Sequence, residues 1–155
     1  MKINSMESVI DLAVQKEEEA YVFYMKLCDI VTDKEVKSTL IYLAKEESQH
    51  KEFLMKCKEQ VVCNVGVRGG DAMDYQVAEH LSKPDIKKNI NSSEVYLIAA
   101  NRELNAYNFY KGMADYFPEG PEKTLFLRMA DEEMKHKEKM EYLYANTAFP
   151  QTAGG

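Results

Sequence analysis

Apolar positions recur at three- and four-residue spacing through most of the chain. From Ser5 to Val31 they fall at Val9, Leu12, Ala13, Ala20, Phe23, Tyr24 and Leu27, with no Gly or Pro between them, and this is the buried stripe of one long helix. Lys16/Glu17 interrupts the stripe with charge. A second stripe, Leu40, Leu43, Ala44, Glu47, His50 and Leu54, extends to about Val61. Thr32-Asp33-Lys34-Glu35 starts it as a capping box, a hydroxyl followed three residues later by Glu. The short turn between the two helices predicts antiparallel neighbours.

The pattern lapses from about Cys63 to Asn91, where Gly66, Gly69, Gly70 and Pro84 fall and only Asp71–Leu81 keeps a helical period. A segment of roughly 30 residues is too long for a tight connection. It can span the ~40 Å length of a ~25-residue helix and return the chain to the starting end of a bundle. The same length would let the two halves exchange between two chains. A third helix, capped by Ser92 or Ser93, follows to about Tyr116, with Ile98, Ala99, Glu103, Ala106, Tyr110 and Met113 inward. Phe117-Pro118-Glu119-Gly120-Pro121 breaks the pattern, with Pro121 suited to a first helical position. The fourth helix runs from about Glu122 to Tyr144. The expected architecture is all-α: one bundle domain over residues 1–149, hairpins at about 5–62 and 92–147, a crossover at 63–91, and a tail at 150–155 with nothing to bury.

The two hairpins are copies of one another. Glu47-Ser48-Gln49-His50 recurs 86 positions later as Glu133-Met134-Lys135-His136. Thirty residues before each Glu stands another, Glu17 and Glu103, each opening the phrase Glu-x-x-Ala-Tyr-x-Phe-Tyr. At the same offset Val9, Ala13, Asp29, Lys37, Ala44 and Lys51 match Val95, Ala99, Asp115, Lys123, Ala130 and Lys137. Two αα-hairpins about a pseudo-twofold axis follow.

Within each Glu-x-x-His the two side chains project from one helix face a turn apart. Glu17 and Glu103 lie in stripes otherwise built of Ala, Phe and Leu, where a lone carboxylate would cost several kcal/mol in desolvation. Four carboxylates converging there require cations. Four negative charges match two divalent ions, so the set Glu17, Glu47, His50, Glu103, Glu133 and His136 predicts a dinuclear centre. Mixed carboxylate and imidazole donors suit iron or manganese better than calcium or structural zinc. A single Glu-x-x-His arises readily by chance on a charged helix; a matched pair, each with its upstream Glu, does not. Tyr24 and Tyr110 follow Glu17 and Glu103 by seven residues, and their hydroxyls either orient carboxylates or simply pack. Glu18, Glu19, Glu46 and Glu132 read as a solvated face or as outer partners of the ligands. His80 stands apart in the crossover and reads as a surface histidine.

Composition alters little. The 155 residues, 45% hydrophobic and 30% charged, suffice for one core. A net charge of −6, without a basic patch, argues against nucleic acid and anionic membrane as partners. The absence of a leader-like or membrane-length apolar run predicts a cytoplasmic protein. Cys28, Cys57 and Cys63 form no Cys-x-x-Cys, so neither a disulfide framework nor a zinc ribbon is expected, and buried or incidental thiols are the default. Nine Met and ten Tyr read as core filler.

From about Val9 to Leu143 the motifs Glu17-x6-Tyr24, Glu47-x2-His50, Glu103-x6-Tyr110 and Glu133-x2-His136 resemble the ferritin-like di-iron superfamily, and within it a rubrerythrin-type domain. The resemblance implies a ferritin-like four-helix bundle holding two iron ions, with manganese as the alternative. Glu17 and His50 would serve one ion, Glu103 and His136 the other, and Glu47 and Glu133 would bridge. It implies an oxidoreductase that reduces hydrogen peroxide, or oxygen, in oxidative-stress defence. No rubredoxin-type pair of Cys-x-x-Cys motifs is present, so the electron donor would be external and rubredoxin-like. A further Glu of the family's third helix is Ala106 here. A homodimer is the expected assembly. The competing readings are a ferroxidase for iron storage, a non-enzymatic metal-binding bundle, and a di-manganese catalase.

Overall fold

The computed structural model describes residues 6–59 and 74–149, as five helices. They are α1 (Met6–Ile30), α2 (Lys34–Glu59), a short α3 (Val77–His80), α4 (Ser92–Tyr116) and α5 (Pro121–Ala148). Each hairpin is closely packed along its length, α1 on α2 and α4 on α5, whereas backbone contact between the hairpins is sparse. The hairpins therefore meet through long side chains, and the predicted ligands lie in that layer. The glycine cluster Gly66, Gly69 and Gly70, residue Cys63 and the tail at 150–155 lie outside the described residues.

The core divides in two. Leu27, Val36, Leu40, Leu43, Val95, Ile98 and Met140 fill one end, and Val9, Ile10, Leu54, Leu125, Phe126 and Met129 fill the other. Between them sits the polar layer. The inner stripes read from the sequence are nearly those observed, with one extension: Val95 to Ala100 are buried without a break. The reason is α3, which packs against α4 and covers a second face of it.

Helix starts differ from expectation by one residue or two. Asp33, not Thr32, caps α2: its Oδ1 accepts from the amides of Glu35 and Val36 at 2.9 and 3.0 Å. Asn91, not Ser92 or Ser93, caps α4, accepting from Glu94 N at 2.9 Å while the Glu94 carboxylate accepts from Asn91 N. In both, an Asx side chain reaches the orphan amides that a neighbouring hydroxyl was expected to take. α5 starts at Pro121 as expected and continues to Ala148, past Tyr144. Gly120 precedes it at φ 158° and ψ −173°, a region open essentially to glycine alone.

The repeat extends to the turns. Lys37 Nζ donates to the carbonyl of Cys28 at 2.8 Å, and its counterpart Lys123 donates to the carbonyl of Ala114 at 3.3 Å. Each lysine thus satisfies a carbonyl at the C-terminal end of the helix before it. Cys28 is a free, buried thiol. Cys57 is disulfide-bonded, which corrects the expectation of incidental thiols only. No helix among the described residues is long and apolar enough to cross a membrane.

Candidate metal centre

All six predicted residues converge between the hairpins. Glu17, Glu47, Glu103 and Glu133 are each at most 3% exposed, and His136 is equally buried; His50 is slightly more open. Glu17 projects from α1, Glu47 and His50 from α2, Glu103 from α4, and Glu133 and His136 from α5. Two groups of ligand atoms form within coordinating reach: Glu17, Glu47, His50 and Glu133 in one, Glu47, Glu103, Glu133 and His136 in the other. Glu47 and Glu133 belong to both.

Each histidine faces the opposite hairpin. His50 Nδ1 lies 3.0 Å from Glu133 Oε1 and 3.7 Å from Glu17 Oε2. His136 Nδ1 lies 3.0 Å from Glu47 Oε1 and 3.6 Å from Glu103 Oε2. The imidazoles stack with centroids 5.5 Å apart. These separations lack hydrogen-bond direction. Seven buried atoms of the six residues have no hydrogen-bond partner: Glu17 Oε2, Glu47 Oε1, His50 Nδ1, Glu103 Oε2, both oxygens of Glu133, and His136 Nδ1. Native interiors rarely leave so many polar atoms orphaned in one place. Lone pairs aimed at common points are what metal ions satisfy, so the donor set fits a metal pair.

The tyrosines orient carboxylates, but not those on their own helices. Tyr24 donates to Glu103 Oε1 at 2.7 Å and Tyr110 to Glu17 Oε1 at 2.5 Å. Seven residues along a helix is a rise of about 10 Å, too far for the hydroxyl to reach the Glu of its own helix. The pseudo-twofold axis instead brings each tyrosine level with the Glu of the other hairpin. Each bond leaves the second oxygen of that Glu free to face the centre. Burial first, then the charge of the adjacent carboxylates, pushes both phenols well above the usual tyrosine range, so both remain donors.

The carboxylates split by environment. Burial and the charges of Glu103 and Glu17 push Glu47 well up, and burial with Glu47 and Glu103 does the same to Glu133. Burial also acts upward on Glu103, but the adjoining Glu133 carboxyl, the His136 charge and the Tyr24 hydroxyl overcome it and hold Glu103 at about 2. Glu17 is likewise lowered against burial, by Glu47, His50 and Tyr110. Burial would push His136 down, yet Glu103, Glu46 and Glu47 hold it well above the usual imidazole range.

Of the four neighbouring glutamates, Glu46 stands out. Its Oε1 lies 3.9 Å from His136 Nε2 and accepts from the Tyr42 hydroxyl at 2.9 Å. A carboxylate behind an imidazole fixes its tautomer and ring orientation. The adjoining His136, and then the Tyr42 hydroxyl, lower Glu46 to about 2 against the effect of burial. Its repeat counterpart, Glu132, turns instead to Lys135 at 3.8 Å, so the two halves are not equivalent around their histidines. His80 is exposed in α3.

Sequence reasoning missed a second polar cluster, at the crossover. Lys137, fully buried, pairs with Asp74, Glu79 and Glu141 at 2.5, 2.8 and 3.0 Å. Glu141 Oε2 also accepts from the amides of Val77 and Ala78 at 2.6 and 2.8 Å. These three carboxylates also satisfy the spacing of a cation site, and the cation among them is the lysine ammonium.

A bundle with a Glu from one helix of each hairpin and a Glu-x-x-His from the other has the architecture of the ferritin-like carboxylate-bridged class. The Rubrerythrin family model matches residues 1–58, which takes in α1 and nearly all of α2, and the fold is an all-α, ferritin-like bundle. Among solved structures, a hypothetical protein from Pyrococcus furiosus is similar at TM-score 0.64 and 20% identity, over 96% of this chain and 94% of that one. That likeness is one of fold. No curated protein matches the chain.

Proposed function

We propose that the chain is a di-iron oxidoreductase that reduces hydrogen peroxide, using electrons from a separate carrier protein. The observation that carries the metal reading is the set of seven orphaned, inward-facing donor atoms, sorted into two groups that share Glu47 and Glu133. In this reading Glu17 and His50 would hold one ion and Glu103 and His136 the other, with Glu47 and Glu133 available to both. The rubrerythrin match over residues 1–58 supports iron as the metal and redox chemistry as its use.

When bound, a pair of ferrous ions supplies the two electrons needed to cleave an O–O bond. The remaining work falls to the chain. Tyr24 and Tyr110 hold Glu103 and Glu17 by one oxygen each, so those carboxylates stay aimed at the centre as its charge changes. Glu46, itself held by the Tyr42 hydroxyl, places a carboxylate behind His136. The two apolar clusters seal the layer above and below, which limits water and strengthens every charge interaction between them.

The first test is stopped-flow absorbance after anaerobic loading with two Fe(II) per chain, mixing one portion with hydrogen peroxide and another with oxygen. Oxidation much faster with peroxide is the expected result. Faster oxidation by oxygen overturns it in favour of a ferroxidase, and no absorbance change with either removes both.

The tyrosines give a second prediction. Tyr24→Phe or Tyr110→Phe frees a carboxylate that is now held in place, and metal affinity falls roughly 10- to 100-fold. Competitive titration with Co(II) measures it. Affinities equal to wild type in both variants would reduce these tyrosines to core packing.

A further inference from the structure

The six donors form a set symmetric about the pseudo-twofold axis, one Glu and one Glu-x-x-His from each hairpin. Any difference between the two ion positions must therefore come from what stands behind the ligands. Both histidines present Nδ1 to the carboxylates, which leaves Nε2 of each ring for a second partner. There the halves part. His136 Nε2 faces Glu46 Oε1 at 3.9 Å, and Glu46 in turn accepts from the Tyr42 hydroxyl at 2.9 Å. The Tyr42 ring stands edge-on to the His136 ring with centroids 6.3 Å apart. Lys139 Nζ sits 3.9 Å from the Tyr42 centroid, a contact that holds the tyrosine ring in place.

Around His50 the equivalent positions of the repeat carry other residues. Arg128 stands for Tyr42 and Phe53 for Lys139, and these two pair with each other, the guanidinium 5.0 Å from the ring centroid. Cation and ring have exchanged helices, and the hydroxyl that holds Glu46 has no equivalent. Glu132, the counterpart of Glu46, lies against Lys135 at 3.8 Å. The carboxylates that His50 meets within 4.0 Å among the described residues are Glu17, Glu47 and Glu133, all on its Nδ1 side. His50 is also the more open of the two, its side chain 11% exposed against 4% for His136.

We propose that the two ion positions fill in order, the one served by Glu103 and His136 first and more tightly, with Glu46 as the positioning residue that sets the order through His136. The proposal rests on the di-metal reading. A carboxylate on the Nε2 side takes the imidazole proton, which leaves Nδ1 with a free lone pair aimed at the carboxylate layer and makes it a stronger donor. His50 reaches that tautomer and ring orientation without a carboxylate held behind it. Its greater exposure also weakens the charge interactions on its side of the layer. The first divalent ion offsets two of the four negative charges, and Glu47 and Glu133 belong to both groups. The second ion thus meets a less negative centre, which widens the gap between the two steps.

The test is an anaerobic Co(II) titration of the metal-free chain, followed by visible absorption and by the paramagnetically shifted imidazole N–H signals in proton NMR. Wild type should take up two ions in separate steps, and the first should bring in one shifted N–H that exchanges slowly with water. Glu46→Gln should weaken the first step roughly 10- to 100-fold, merge it with the second and speed the exchange of that N–H. Glu132→Gln, made at the equivalent position, should leave both steps and the N–H signal as in wild type. His136→Ala should remove the first step, whereas His50→Ala should keep it. The N–H exchange separates positioning of the imidazole from a general loss of fold, which would move both steps together. Two equal steps in wild type, an unchanged first step in Glu46→Gln, or a first step lost in His50→Ala and kept in His136→Ala each overturn the proposal and leave the di-metal reading standing. A chain that takes up no Co(II) overturns both.

Discussion

Thermal unfolding of the metal-free protein moves to lower temperature as pH is raised from about 5 to about 8, and metal loading removes most of that dependence. Folded Glu47 and Glu133 keep their protons well above the usual carboxylate range, through burial first and neighbouring carboxylate charge second. Unfolded, both would titrate near 4.5. Between those limits the folded chain binds more protons than the unfolded one, so stability falls as pH rises. His136 acts in the same sense: its folded value is raised above 6.5, so its contribution is full below that pH and is lost as pH climbs through the folded value. Glu17 and Glu103 are lowered. Their contribution is present above 4.5 and is lost only as pH falls toward their folded values, about 2 for Glu103, which lies outside the window.

Each retained proton gives a slope of about 1.4 kcal/mol per pH unit. The midpoint therefore falls with pH for as long as the folded chain holds the extra proton, by about 2–4 °C per kcal/mol for a chain of this size. Metal ions take the place of the protons, and at a thousandfold excess over the dissociation constant each site adds about 4 kcal/mol. The loaded protein therefore melts higher and with a flatter pH profile. Glu47→Gln/Glu133→Gln should flatten the metal-free profile and abolish the metal-induced shift together. Calorimetry across the pH range, with and without Co(II), checks both. A metal-free midpoint that rises between pH 5 and 8 would contradict the arrangement of these carboxyls, and a midpoint indifferent to metal would remove the metal centre.

How much of this was legible depended on whether a feature was repeated. Glu17, Glu47, His50 and their counterparts Glu103, Glu133 and His136 could be read because two copies at one offset turn a weak local motif into a strong one. The helix stripes were legible for the physical reason that a long amphipathic helix must bury one face. Cap residues were not: Asn91, Ser92 and Ser93 are comparable candidates side by side, and only the bond to Glu94 separates them. The cross-hairpin bonds of Tyr24 and Tyr110 were hidden because spacing along one helix says nothing of what lies level with it on another. Lys137 was hidden most deeply. Its repeat counterpart, Lys51, is part-exposed and pairs with Glu18 at 2.9 Å. What buries Lys137 is the non-repeating crossover: the helical period at Asp71–Leu81 announces a helical piece there, but not the surface on which it docks.

That difference between repeat equivalents sets the other large effect. Lys137→Met should destabilise the protein by about 3–5 kcal/mol, because it leaves Glu141 as a buried charge without its cation. Methionine restores volume, so loss of fit contributes little. Glu141 also anchors α3 through the amides of Val77 and Ala78, so those amides should exchange faster with solvent in the variant. Lys51→Met, made on the equivalent but part-exposed residue, should cost less than about 1 kcal/mol. Removing the stranded charge as well, in Lys137→Met/Glu141→Gln, should recover part of the loss, since a neutral amide is cheaper to bury than an unpaired carboxylate. Denaturant titration of the four proteins reads these differences directly. Equal losses for Lys137→Met and Lys51→Met would show that the ammonium contributes no more inside the crossover seat than on the surface. The attachment of α3 would then rest on apolar contacts, chiefly the burial of Ala78 against α4, rather than on the ion cluster one residue from His136.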